Sequence, residues 1–410
     1  MSRTRSAFHR VRDLVLAAGL LLPGLTGVTA TPAYADGPGA GAPWIVSLGD
    51  SYISGEAGRW AGNTNNGEPV IDALGPAAYF DNAGHTAERI DRCHRSQSAE
   101  VYIGGGVNGE NLACSGAMSA TYSESDGRFK PGLDFYDDGA GKQGQALMLQ
   151  NFAASHNVKM VAVAIGGNDF NFSSIVQSCV LDFLTSPTWL PNYCDDDSSV
   201  TANFTADKVA AVRSAVAGAL RNVGTAMTKA GYAPSSYTVL VQDYPSPIPA
   251  GAGFRYSESG YTRQSVAGCG FWNADADWAN SSALATIDDT VHGAVGDSGL
   301  PNAVTMRLSS AFDGRRLCEN TDGLLEEKGL SSWRSPGAVD QSEWINMIRT
   351  VTTIGSDYYI QESLHPNYWG QLALRDCLRQ AYNGGAPHGG TCTRSGSGTN
   401  GNGEPTMSLS

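Results

Sequence analysis

The chain has 410 residues, of which 27 are Lys or Arg and 40 are Asp or Glu, for a formal net charge of -13. With 41% hydrophobic and 16% charged residues it has ample material for a buried core, which excludes a disordered chain and a miniprotein that depends on disulfides to fold. The acidic balance argues against nucleic acid, which is gripped through Lys and Arg on phosphates, and 50 glycines without a G-X-Y period point to tight turns and long surface connections.

Residues 1–35 read as an export signal: Arg3, Arg5, Arg10 and Arg12, an apolar run from Leu14 to Leu22, and the small-x-small site Ala33-Tyr34-Ala35. The run is shorter than the about 20 apolar residues that a membrane span needs, and no later segment supplies them, so a secreted, extracellular protein without a stable membrane anchor is expected. No twin-arginine pair is present, which favours the general secretory route. Cleavage after Ala35 removes four Arg and one Asp and takes the net charge from -13 to about -16. Residues 36–43 then form a short linker, residues 44–393 one large domain, and 394–410 a flexible Gly/Ser/Asn tail.

In chain order, WIVSL (44–48) and MVAVAI (160–165) are short apolar runs that stop at Gly, and YTVLV (237–241) is one that stops before Asp243-Tyr244-Pro245, as buried parallel strands do; 303–308 is a fourth candidate. Between them, residues 206–230 carry Val209, Val212, Val216, Leu220 and Val223 at helical spacing; 275–295 and 366–383 are weaker helical patterns. Strands alternating with helices predict a parallel sheet covered on both faces, with ligands at the carboxyl ends of the strands. Residues 56–92, 119–141, 181–203 and 249–274 read as long loop insertions. In an oxidising compartment eight cysteines without a CxxC imply disulfides. The expected pairs are chain neighbours: Cys93 with Cys114, Cys179 with Cys194, Cys269 with Cys318, and Cys377 with Cys392.

Ser51, in GDSYISGE directly after the first strand, sits where free N–H groups at a helix start and the helix dipole favour a developing negative charge. Asn168, in GGNDF after the second strand, offers an amide donor to the same cleft, and Gly116 in NLACSGA offers a bare backbone that can approach a substrate closely. His365, in ESLHPN, precedes a helical pattern and is presented from a loop. A nucleophile, two donors and a histidine make an acyl-transfer site.

The ordered blocks GDSYISGE, NLACSGA, AIGGNDF and ESLHPNYWG resemble the four signature blocks of SGNH hydrolases, also called GDSL lipases and esterases, and are most similar in pattern to their secreted bacterial lipase and phospholipase branch. DRCHRS, VQDYPSP and FDGRRLC extend the resemblance over roughly residues 44 to 380. It implies a flavodoxin-like three-layer α/β/α sandwich with a central parallel sheet, and a catalytic domain acting as a monomer on a small-molecule or lipid ester without cofactor or metal. It implies Ser51 as nucleophile, His365 as general base, and an oxyanion hole from the Ser51 and Gly116 N–H groups and the Asn168 side chain. Where the family has an acid three residues before the histidine, this chain has Glu362 rather than Asp. In some relatives a backbone carbonyl from the same region takes that role, so Glu362 orients His365 by its side chain, by its main chain, or not at all.

G-x-S-x-G and H-E-x-x-H are both absent, so neither the α/β-hydrolase elbow nor the common zinc hydrolase signature is supported. Asp50 is expected to fix the turn at the nucleophile by hydrogen bonds to nearby backbone. His85, His94, His156, His292 and His388 lack metal spacing, and Asp195-Asp196-Asp197 lacks the ligand spacing of a calcium loop. Trp60, Tyr79, Trp189, Trp272 and Trp369 are candidates to line an acyl or aromatic pocket, with ordinary core packing as the alternative. Carbohydrate or aryl (feruloyl, acetyl) esters are the main rival substrates, and a non-catalytic secreted lipid- or glycan-binding protein is the rival function.

Overall fold

The protein is described by a computed structural model over residues 38–350 and 360–410. The export signal expected at residues 1–35 lies outside the described residues. The strands are β1 (Pro43–Gly49), β2 (Asn108–Asn111), β3 (Tyr122–Ser123), β4 (Phe129–Lys130), β5 (Asn157–Ala164), β6 (Thr238–Gln242), β7 (Ala303–Arg307), β8 (Gly390–Thr399) and β9 (Pro405–Leu409). The helices are α1 (Ser51–Ser54), α2 (Gln145–Ala153), α3 (Phe172–Thr185), α4 (Ser198–Thr201), α5 (Ala206–Lys229), α6 (Thr262–Ser265), α7 (Asn273–Trp278), α8 (Leu284–Ser298), α9 (Ala338–Gln341) and α10 (Tyr368–Tyr382). Residues 275–295, expected as one helix, are α7 and α8 joined by a π-helical turn, Ala279–Ala283.

Seven strands form one sheet in the order β2-β1-β5-β6-β7-β8-β9, parallel from β2 to β8 with β9 antiparallel at the edge. Counted along the chain, the first five parallel strands follow the 2-1-3-4-5 order of a flavodoxin-like sheet, whose winding reverses between β1 and β5. Successive side chains of a strand point to opposite faces, and the two cores divide accordingly. Val46, Leu48, Val161, Val163, Val239 and Val241 pack under α2, α5 and α8. Ile45, Met160, Ala162, Leu240 and Met306 pack under α10 and irregular chain that includes Phe312 and Trp344. Fully burying each aliphatic side chain contributes about 1.5–3 kcal/mol, which is why short apolar runs suffice to specify these strands.

α5 shows how the sequence writes a helix. Thr205 caps its start by accepting from Lys208 N at 3.4 Å, and Val212, Val216, Leu220, Val223 and Met227 form the buried stripe.

The tail expected to be flexible over 394–410 is instead the β8–β9 hairpin, so the domain extends past 393 to the sheet edge. Its composition lacks an apolar run, but α10 supplies the anchors. Cys377 is disulfide-bonded to Cys392, Asp376 Oδ2 accepts from Met407 N at 3.0 Å, Gln380 Oε1 accepts from Leu409 N at 3.0 Å, and Arg379 pairs with Glu404. All four disulfides join the chain neighbours expected from the sequence.

Candidate active site

β1 ends where only glycine fits. Gly49 has φ +132°, and a Cβ there would lie 1.9 Å from the Ala164 carbonyl oxygen of β5. Gln145 of α2 clamps this peptide, accepting from Gly49 N at 2.7 Å and donating to Gly49 O at 2.9 Å. The chain then turns into α1 with Asp50 as its cap, accepting from Tyr52 N at 3.1 Å. Asp50 thus fixes the turn, as expected, and Tyr244, just past β6, donates its hydroxyl to the other carboxylate oxygen while accepting from Gly167 N at 3.0 Å. Burial pushes the Asp50 carboxyl up to about 7, against the lowering effect of the Tyr244 hydrogen bond.

Ser51, the first residue of α1, is buried, and its Oγ lies 2.7 Å from Nε2 of His365. Nδ1 of His365 lies 2.9 Å from the Ser363 carbonyl oxygen, which fixes Nδ1 as the protonated nitrogen and leaves Nε2 free to accept. Leu364 between them has φ +62°, a left-handed conformation that costs a non-glycine residue about 1 kcal/mol or more and that brings the ring back over the carbonyl. The neighbouring chain holds this turn: Tyr52 hydroxyl donates to Leu364 O at 3.0 Å, Leu364 N to Asn346 O at 3.0 Å, and Asn346 N to His365 O at 2.9 Å. Burial pushes the His365 imidazole below its ordinary pKa, with the Glu56 carboxylate and the Ser363 carbonyl opposing, so the neutral base is favoured.

The Glu362 carboxylate is engaged by two aromatic side chains. Its buried carboxylate accepts from Trp60 Nε1 at 3.0 Å and from the Tyr79 hydroxyl, while both ring nitrogens of His365 have other partners. Of the alternatives open in the sequence, the structure presents a main-chain oxygen, that of Ser363.

Ser51 N–H and Gly116 N–H have no hydrogen-bond acceptor among the described residues. α1 is four residues long, too short for an appreciable macrodipole, so the favourable feature is these two free donors rather than the dipole expected from the sequence. Gly116 has φ +80°, and the Cys93–Cys114 disulfide pins its loop from the adjacent turn. Asn168 lies at the end of β5 and donates from Nδ2 to Ala117 O at 2.9 Å, leaving its second amide hydrogen for a ligand. Asp169, which the sequence reading passed over, accepts from Ser119 N at 3.1 Å and ties the same two loops.

With this geometry in view, the comparisons with known proteins bear on the chain. No family model matches it. The chain is similar to Lipase 1 of Streptomyces coelicolor. The two are 29% identical over 170 residues, 41% of this chain and 44% of that protein, so the match spans less than half the relative's length. Among solved structures, the extracellular lipase of Streptomyces rimosus is 18% identical at TM-score 0.42, and phospholipase A1 of Streptomyces albidoflavus NA297 is 19% identical at TM-score 0.39. Each alignment covers 81% of this chain and 95% of the other.

Beside Ser51 a cleft of about 370 Å³ is walled by Asn168, Phe172, Tyr244, Pro247 and Ile287. A second, about 570 Å³, shares Phe172, Pro247, Leu284 and Ile287 with it and continues past Ile175, Phe204, Phe271 and Trp278, an almost wholly apolar surface. None of the five aromatic residues singled out from sequence lines either cleft. Trp60 packs with Ile71 and Leu325, Tyr79 stacks on His94, Trp272 lies against Phe183, Trp369 lies against Trp333 and Tyr368, and Trp189 is 82% exposed. The lining comes instead mainly from α3, the chain after β6 and the start of α8; their meeting beyond the carboxyl ends of β1, β5 and β6 is a tertiary fact without a local sequence signal.

Proposed function

We propose that this protein is a secreted serine ester hydrolase of the SGNH type that cleaves carboxylic esters of extended apolar acyl groups through an acyl-enzyme. The observation that carries this reading is the 2.7 Å contact between Ser51 Oγ and His365 Nε2 beside two unengaged backbone N–H groups. Four sequence blocks, four disulfides and the similarity to Lipase 1 support it. No helix of the described residues is long and apolar enough to cross a membrane.

In the first step Ser51 Oγ bonds to the ester carbonyl carbon and passes its proton to His365 Nε2, while the Ser363 carbonyl holds Nδ1–H. The oxyanion is met by Ser51 N–H, Gly116 N–H and the free Asn168 amide hydrogen. As the C–O bond breaks, the imidazolium returns the proton to the leaving alcohol. Water, deprotonated by the same nitrogen, then attacks the acyl-enzyme, and Ser51 is restored with release of the acid. The paired apolar clefts favour a lipid acyl chain over a carbohydrate or aryl ester, whose hydroxyls or ring substituents would need polar partners there.

A hydrolysis panel on purified wild type and Ser51→Ala tests the reading, with short and long acyl esters, phosphatidylcholine, acetylated xylan and methyl ferulate. Ser51-dependent turnover rising with acyl length is expected. Turnover confined to the carbohydrate or ferulate esters contradicts it.

A further inference from the structure

The imidazolium formed in the first step has no carboxylate at Nδ1, yet it forms in a buried place where an unbalanced charge is costly. The Glu56 carboxylate, outside the described proton path, interacts with His365 electrostatically. Glu56, last residue of the GDSYISGE block, is fully buried, and its Oε1 lies 2.6 Å from Nδ1 of His94. Its Oε2 accepts from Gln361 Nε2 at 3.3 Å, and the same Gln361 nitrogen donates to Ser115 Oγ at 2.8 Å and to Arg92 O at 3.2 Å. Gln361 therefore joins the loop that carries Ser363 and His365 to the loop that carries Gly116, with Glu56 beneath both.

We propose that Glu56 is a positioning residue of this site: its buried carboxylate, paired with His94, supplies counter-charge to the His365 imidazolium, and through Gln361 it fixes the His365 loop against the oxyanion loop. The inference rests on the ester-hydrolase reading above. Burial alone would raise the Glu56 pKa, but His94 brings it below the ordinary carboxylate range, while Glu56 and Glu88 hold His94 above its own. The other titratable groups facing the pair are Glu362 and Tyr79 around His94, Lys130 from β4, and His365 itself. Glu362 accepts from the Tyr79 hydroxyl, and the Tyr79 ring stacks on His94.

Steady-state kinetics on a soluble short-chain ester across pH test the proposal in Glu56→Gln. Loss of the counter-charge should move the acidic limb of the kcat profile down by about half to one unit and lower kcat about 3- to 10-fold with KM little changed, the rate equivalent of the same interaction. His94→Gln removes the positive member of the pair and should move the limb up, a reversal that a merely structural defect does not produce. It also serves if Glu56→Gln does not fold. An unmoved limb in either variant with a wild-type circular dichroism spectrum overturns the proposal. A wild type that neither turns over esters nor labels at Ser51 fails the parent reading instead, so the two failures are distinct.

Discussion

His365 receives its orientation from a main-chain oxygen, and this sets what substitution at Glu362 does. A triad carboxylate replaced by its amide costs about 10⁴ in kcat. Glu362→Gln should cost less than about 10-fold, because its partners are Trp60 and Tyr79, and should appear instead as a lower melting temperature. Steady-state kinetics and thermal denaturation of the one variant check both. Asn168→Ala removes the proposed oxyanion donor and should lower kcat by about 10²- to 10³-fold with the fold intact, measured on the same ester. The acidic limb follows from His365. Burial lowers its folded pKa, so activity is full above the ordinary histidine value and is lost only as pH falls through the lower folded pKa. Protonation of the unfolded chain first draws stability down over the same interval. A kcat/KM profile, which reports the free enzyme, is expected to have its acidic inflection below about 6.5; one above it contradicts the assignment of burial as the dominant effect.

At the scale of the elements, the hairpin β8–β9 stands on α10 through the Cys377–Cys392 disulfide and the Arg379–Glu404 pair. The disulfide closes 15 residues, so replacing both cysteines by Ser should cost about 3 kcal/mol and lower the melting temperature measurably. Activity of the folded variant at moderate temperature should be retained, since Ser51 and His365 are held by other elements. The hairpin also marks where composition pointed the other way, to a flexible tail over 394–410. β1, β5, β6 and β7 were legible because a buried strand must be an apolar run, whereas β2 (NGEN) and β8 (GTCTRSGSGT) are polar edge-side strands whose pairing is decided by their neighbours. Ser51, Gly116, Asn168 and His365 could be singled out because each lies within an ordered block, and the structure brings Ser51 and His365 into contact. The roles of Glu362 and Gln361 were not. Which way a buried side chain turns depends here on Trp60, Tyr79 and Ser115, all more than two hundred residues away in sequence.

For the whole molecule, the sheet brings Ser51 from β1 and Asn168 from β5 together where the winding reverses, and the loops after β6 and before α10 close the remaining sides. The acidic balance of -13 acts on solubility and on approach to charged surfaces, while on the proposed reading the choice of ester belongs to the apolar clefts. In the proposed mechanism Ser51 is activated by a histidine held by a main-chain carbonyl, and labelling with a fluorophosphonate probe followed by peptide mapping reads this activation at the nucleophile itself. Wild type should label at Ser51, Glu362→Gln at a rate within about 10-fold of wild type, and His365→Ala should lose about 10³-fold or more. A well-folded wild type that does not label, or a Glu362→Gln variant as slow as His365→Ala, contradicts the account.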